Sequence, residues 1–79
     1  MHPRHYLVDQ KLVALLKLSK LPETEFDFIA AGRVDSLSLL NFVLDVEDAF
    51  HIELTDAEVA SKQFRTFGGL SNLIFRKLP

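Results

Sequence analysis

The sequence predicts an all-α fold in which four helices surround one core. Apolar residues recur at helical spacing in three stretches, near residues 6–19, 36–50 and 66–78, and this period indicates amphipathic helices. A capping box, Thr55-Asp56-Ala57-Glu58, marks the start of one more helix, which is short and is the third in chain order. The chain has 79 residues, of which 48% are hydrophobic, so it can build one compact core. We therefore expect residues 1–79 to form a single domain.

The first predicted helix runs from Tyr6 to Ser19 and is followed by a long connection. Pro22 closes the helical pattern, because the residue before a proline is pushed out of the helical region. Residues 20–34 then form a loop that is long for a domain of this size. We expect its two phenylalanines, Phe26 and Phe28, to pack it onto the core.

The second predicted helix covers residues 36–50 and has two apolar stripes. Asp35 is its expected N-cap, which places Ser36 in the first turn. The stripe expected to face the core contains Leu39, Phe42, Val43, Val46 and Phe50. The other stripe is a ridge that we expect to be partly exposed beside acidic residues; it contains Leu37, Leu40 and Leu44. An exposed apolar ridge bordered by acids is typical of a docking surface or of a core edge.

The third and fourth predicted helices each begin at a threonine. Thr55 starts a short helix that should fade by Gln63, and Thr66 starts the last helix, which continues to the C-terminus. Gly68 and Gly69 fall in the first turn of that last helix, where each costs about 1 kcal/mol relative to alanine. We expect conformational freedom there.

Charge and composition exclude several classes of function. Seven of the eleven acidic residues lie between positions 35 and 58, a stretch without Lys or Arg: Asp35, Asp45, Glu47, Asp48, Glu53, Asp56 and Glu58. This acidic block should attract basic partner patches and repel nucleic acid. No apolar run approaches the roughly 18–20 residues that cross a bilayer, so no membrane insertion is expected. The lack of cysteine favours a cytoplasmic protein.

The sequence contains no convergent set of catalytic or metal-binding residues. Ser36 lacks the surrounding glycines of a hydrolase nucleophile elbow, and His2 and His5 lack a third metal ligand nearby. We expect those two histidines to be solvated. Ser36 does stand where a phosphate would be favoured, because a helix start offers unpaired backbone N–H groups and a positive dipole end.

The chain resembles the acyl and aminoacyl carrier proteins, which bear a 4′-phosphopantetheine arm on a serine. The similarity covers almost the whole chain and includes Asp35-Ser36-Leu37, Val46-Glu47-Asp48-Ala49-Phe50 and Ile52-Glu53-Leu54. It implies a four-helix bundle that is a carrier and not an enzyme, with the arm, derived from coenzyme A, attached to Ser36. It also implies docking of partner enzymes on Asp35, Leu37, Leu40, Leu44, Asp45, Glu47 and Asp48.

The resemblance further implies which proteins the carrier meets. A phosphopantetheinyl transferase would install the arm, an adenylating or acyl-loading ligase would charge it, and a downstream transferase or synthase would unload it. The carrier itself is expected to be a monomer. Cargo could shelter between the second and third helices or stay in solvent.

Three residues depart from the familiar fatty-acid carriers. Those carriers have carboxylates at the positions of Ser38 and Asn41, and here Arg33 also precedes the serine by three residues. We therefore favour a discrete carrier of a specialised biosynthetic pathway, loaded with an amino acid or a short acyl group. The alternatives are the housekeeping carrier of fatty-acid synthesis and an unmodified helical adaptor that binds a partner helix.

Overall fold

Four α-helices and one 3₁₀ helix form the fold in the described residues of the computed structural model. The structure describes residues 5–35 and 37–78. The helices are α1 (Tyr6–Leu15), α2 (Leu39–Phe50), α3 (Asp56–Val59) and α4 (Phe67–Lys77), and the 3₁₀ helix (Lys62–Arg65) precedes α4. Helix α1 packs against both α2 and α4. The all-α, four-helix prediction is confirmed.

Helix α1 ends earlier than the predicted Ser19. Its last residue is Leu15, and Lys17 adopts a left-handed conformation with φ of 56°. The backbone N–H groups of Lys17 and Leu18 donate to the carbonyls of Ala14 and Val13, which is the Schellman pattern that closes a helix. The chain therefore leaves the helix before Pro22 can act on it.

Helix α2 begins three residues later than predicted. The structure places Leu37 and Ser38 in a turn, and the regular helix starts at Leu39. The core stripe is otherwise as expected: Phe42, Val43, Val46 and Phe50 are buried and Leu39 is half-buried. The helix ends at His51, which is left-handed.

The long first loop packs on the core through its phenylalanines, as predicted. Phe28 is fully buried and Phe26 packs against the core from its edge. The Phe28 ring centroid lies 5.7 Å from that of Phe42 and 6.3 Å from that of Phe64, in tilted and edge-on geometries. Such aromatic pairs contribute about 0.5–1.5 kcal/mol each beyond their buried area. The loop, α2 and the 3₁₀ helix are thereby joined.

The start of α4 is closely packed at its two glycines, where the sequence predicted conformational freedom. Thr66 is the N-cap, as predicted, with its hydroxyl accepting from the Gly69 N–H at 3.1 Å. The first loop also reaches this turn, since the Gly68 N–H donates to the Thr24 carbonyl at 2.8 Å. A Cβ on Gly68 would lie 2.6 Å from the Cβ of Thr24. The glycines are therefore needed for close backbone approach.

Two polar contacts attach α1 to α4. The Ser71 hydroxyl donates to the Asp9 carboxylate at 2.5 Å, and both side chains are buried. His5 stacks on Phe75, with ring centroids 3.9 Å apart, and its Nε2 lies 3.4 Å from Asn72 Oδ1. The expectation that His5 would be solvated is wrong, because the ring finds an apolar partner on α4. His2 lies outside the described residues.

Candidate functional site: the turn before α2 and the ridge beside it

The predicted attachment residue, Ser36, lies outside the described residues, and its two neighbours are exposed. Asp35 ends the first described range, and Leu37, which is 89% exposed, begins the second. Together with Ser38 these neighbours form the approach to α2. The residues on both sides of position 36 are therefore accessible from solvent.

Asp35 holds the turn that leads into α2. Its Oδ1 accepts a hydrogen bond from the Ser38 N–H at 2.7 Å, and its carbonyl accepts from the same N–H at 3.2 Å. This is the side-chain bond of an N-cap, although the regular helix starts one residue beyond Ser38. The backbone N–H of Ser38, followed by its side chain, lowers the pKa of Asp35 below the ordinary value. The carboxylate is thus ionised and oriented.

The apolar ridge predicted on the second helix is exposed. Leu37 is 89%, Leu40 68% and Leu44 53% exposed. Leu40 and Leu44 lie on α2, one turn apart, whereas Leu37 belongs to the turn before it. Three large apolar side chains are therefore left in water in the first half of α2 and in the turn before it.

The three acidic residues predicted beside this ridge differ in their surroundings. Asp45 and Asp48 are exposed, while Glu47 is half-buried. Glu47 Oε2 accepts a hydrogen bond from the Leu54 N–H at 2.8 Å. Its carboxylate therefore also supports the chain segment after α2, a contact that the sequence did not predict.

A cleft of about 560 Å³ opens between α2 and α3. Leu40, Leu44 and Glu47 line its α2 side. Leu54, Val59 and Ala60 line the other side. The sequence did not predict these three residues as part of a site. The apolar residues beside the Thr55 capping box could have indicated them, because a four-residue helix must turn such residues toward a neighbour.

Two arginines, Arg33 and Arg65, are exposed. Arg33 is exposed, as are Ser38 and Asn41. Arg65 forms an ion pair with Asp27, with 3.6 Å between its Nε and the carboxylate Oδ2. Position 33 therefore carries a cation two residues before the Asp35 carboxylate.

A family model described as the phosphopantetheine attachment site matches residues 8–74. That range covers most of the chain and includes the whole approach to α2. The chain belongs to the phosphopantetheine attachment-site family. Searches of curated proteins and of solved structures found no significant match.

A member of this family is a non-catalytic carrier, and its cofactor is covalently attached 4′-phosphopantetheine. Carrier proteins are substrates of a phosphopantetheinyl transferase and are visited by other enzymes. The residues present fit such a group. The first turn of α2 contains no acidic residue, so the phosphate of the arm would meet no carboxylate there. The carboxylate next to position 36 in the sequence is that of Asp35, which is held on the Ser38 N–H.

Two searches of the described residues bear on other site types. In residues 5–35 and 37–78, no group of three or more His, Cys, Asp or Glu side chains is arranged to hold a metal ion. Over the same part of the chain, none of the helices has the length and apolar character needed to cross a bilayer.

Proposed function

We propose that Ser36 carries the 4′-phosphopantetheine arm and that the protein shuttles cargo, held as a thioester on that arm, between enzymes of a specialised biosynthetic pathway. One observation carries the proposal. An exposed turn, ordered by the Asp35 carboxylate on the Ser38 N–H, lies at the start of α2 within the family match. Ser36 follows Asp35 directly in the sequence, and the family resemblance assigns the arm to its hydroxyl.

Attachment requires one bond to form and one to break. The Ser36 oxygen would form a phosphodiester with the phosphopantetheinyl group of coenzyme A. The pyrophosphate bond of coenzyme A would break, the nucleotide part would leave, and the hydroxyl proton would be lost. The chain has no cysteine, so the arm supplies the thiol that binds cargo. A tethered arm raises the effective concentration of that cargo at a docked enzyme.

The proposed docking surface for these enzymes is the exposed ridge and its acids. It consists of Asp35, Leu37, Leu40, Leu44, Asp45, Glu47 and Asp48. The leucines offer apolar area at no cost to the core, and the carboxylates attract basic patches. The partners we propose are the transferase, an adenylating or acyl-loading ligase, and a downstream transferase or synthase.

The assignment to a specialised pathway rests on the exposed residues that replace carboxylates. Ser38 and Asn41 are uncharged and Arg33 is cationic, and all three are exposed. A partner that reads a dense row of carboxylates would meet fewer of them here. We propose a monomeric, single-domain carrier of an amino acid or a short acyl group, working in the cytoplasm.

The attachment site is tested by intact mass after incubation with coenzyme A and a phosphopantetheinyl transferase. We expect a gain of one phosphopantetheinyl group, which Ser36→Ala abolishes. The matched control is Ser38→Ala, which removes the neighbouring hydroxyl and should retain the gain. If Ser36→Ala is still modified and Ser38→Ala is not, the arm is on Ser38 and the proposal for Ser36 is wrong.

The pathway is tested by charging the modified protein. A panel of amino acids and short acids, each supplied with its adenylating ligase, should yield at least one thioester. Fatty-acid synthesis enzymes should act poorly on it, and Ser38→Glu with Asn41→Glu should improve their activity several-fold. Efficient use of the unaltered protein by the fatty-acid enzymes would favour the housekeeping carrier instead.

A further inference from the structure

A second apolar groove lies at the other end of α2 from the attachment turn. It is formed by α1, the end of α2 and the residue after α4, and has a volume of about 530 Å³. We call it the α1 groove and define it by Leu7, Lys11, Ala14, Phe50, His51 and Leu78. The proposed carrier function makes no use of it.

Helix α1 is apolar on more than one side, which leaves part of it in water. Val8 and Leu12 are buried in the core, whereas Leu7 is 82% exposed. Leu7, Lys11 and Ala14 are spaced by four and three residues, so they share one face over two turns of helix. That face is open along its length, as a helix-binding groove must be.

The α1 groove is lined by a cation, whereas the leucine ridge on α2 is bordered by carboxylates. Among the residues that the structure describes, no Asp or Glu lines the groove, although the chain has eleven acidic residues and a net charge of −2. Its charged lining residue is Lys11, and the exposed His51 ring adds a polar edge that can donate an N–H. The groove therefore suits apolar side chains flanked by carboxylates.

Lys11 is held in place at the edge of the groove. Its Nζ donates to the Ala49 carbonyl at 3.3 Å and lies 5.4 Å from the centroid of the Phe50 ring. Both contacts favour a cation, since the end of α2 carries partial negative charge and the ring face is electron-rich. An ammonium has three N–H donors, so one fixed contact leaves donors for a carboxylate.

We propose that the α1 groove binds an acidic amphipathic helix of a partner protein. The apolar side chains of that helix lie against Leu7, Ala14 and Leu78, and its carboxylates pair with Lys11. Because the groove is at the far end of α2, a partner can hold the carrier while an enzyme engages the ridge. This proposal is independent of modification at Ser36.

The test uses two synthetic helical peptides and the full-length, arm-bearing protein labelled with ¹⁵N. One peptide has leucines at helical spacing flanked by glutamates, and the other has lysines in place of every glutamate. In an NMR titration we expect the glutamate peptide to shift the amides of Leu7, Lys11 and Ala49. The lysine peptide should shift the amides of the acidic ridge instead. Ser36→Ala should bind the glutamate peptide with unchanged affinity.

Matched variants locate the binding. Leu7→Asp should weaken binding of the glutamate peptide about tenfold or more, because it places a charge in an apolar contact. Leu37→Asp, an equally exposed leucine on the ridge, should leave it unchanged. Lys11→Glu should weaken binding several-fold, and Lys17→Glu, its control, should not. Lys11→Met removes the charge while keeping an apolar stem, so it separates the effect of charge from that of packing. Thermal unfolding shows whether each variant is folded.

Three outcomes would overturn the proposal. The first is the absence of shifts in the groove with the glutamate peptide. The second is equal binding of the glutamate and lysine peptides there, which would remove the argument from charge. The third is equal loss of binding in Leu7→Asp and Leu37→Asp, which would assign the peptide to the ridge.

Discussion

Single residues order the turn before α2 and close α1 and α2 at their C-terminal ends. Asp35 orders the turn before α2 by accepting the Ser38 N–H. Lys17 and His51 end α1 and α2 in the left-handed conformation, with φ of 56° at each. A non-glycine residue in that conformation costs about 1–2 kcal/mol. The protein tolerates this cost because the following backbone bonds close each helix.

Lys17→Gly should stabilise the protein. Glycine adopts positive φ without strain, but it loses more entropy on folding, so we expect a net gain of about 0.5–1 kcal/mol. For a domain of this size that raises the melting temperature by several degrees. Calorimetry or circular dichroism measures it. Lys20→Gly, an exposed loop position of ordinary φ, is the control and should give no gain.

Gly68→Ala should destabilise the protein even though alanine is the better helix former. The added Cβ would lie 2.6 Å from the Thr24 Cβ and 2.9 Å from the Thr24 carbonyl oxygen. Relieving this clash costs about 1–3 kcal/mol, against about 1 kcal/mol gained in helix propensity. Urea unfolding gives the difference. Gln10→Ala, an exposed helical position, is the control. A more stable Gly68→Ala would mean that the loop moves away freely.

At the scale of elements, short helices depend on side chains that satisfy their ends. The helix α3 has only four residues and could not persist alone. Its capping box is complete: Glu58 Oε1 accepts the Thr55 N–H at 2.9 Å, and the Thr55 hydroxyl accepts the Glu58 N–H at 3.1 Å. Lys77 of α4 reaches Glu58 at 2.9 Å. One glutamate thus links α3 to the end of the chain.

The stability of this link should depend on pH. The Thr55 N–H, followed by Lys77, lowers the pKa of Glu58 below the ordinary value of 4.5. A depressed pKa in the folded state stabilises the protein above 4.5, and the contribution is lost as pH falls from there through the folded-state pKa. Urea unfolding from pH 7 to pH 3 should therefore show a smaller loss for Glu58→Gln than for the parent. Equal slopes for the two proteins would contradict the prediction.

At the scale of the whole molecule, charge is arranged by region. Acidic residues border the leucine ridge, Arg33 lies two residues before Asp35, and Lys11 lines the α1 groove. The described residues have a radius of gyration of 11.2 Å, close to the roughly 11.6 Å typical of this length. The described residues extend over 30 × 26 × 21 Å, which is about three to four Debye lengths at physiological salt, so charges on opposite sides are screened from one another. Partners can distinguish these regions by charge.

Reversing the charge of Asp45 and Asp48 should slow modification of the carrier. Both residues are exposed, so Asp45→Lys with Asp48→Lys should reduce the transferase rate steeply at low salt and little at high salt. Initial rates across a salt series measure this. The control is Asp56→Lys, an exposed acid on α3. Glu47→Ala should instead lower stability, because it removes the acceptor of the Leu54 N–H.

The sequence by itself determined the helix count, the capping residues of α3 and α4, and the family. Thr55, Glu58 and Thr66 act locally, within three or four residues, so their patterns are readable without a tertiary structure. The core stripe and the exposed ridge follow from a period of 3.6 residues. The match to the family covers residues 8–74.

Tertiary structure alone decided where distant segments meet. The close contact of Thr24 with Gly68, the stacking of His5 on Phe75 and the α1 groove all depend on residues far apart in sequence. Periodicity assigns a side chain to a face but does not name what lies opposite it. Gly68 shows the difference: propensity treats it as a weak point, whereas packing against the first loop makes it a point of close contact.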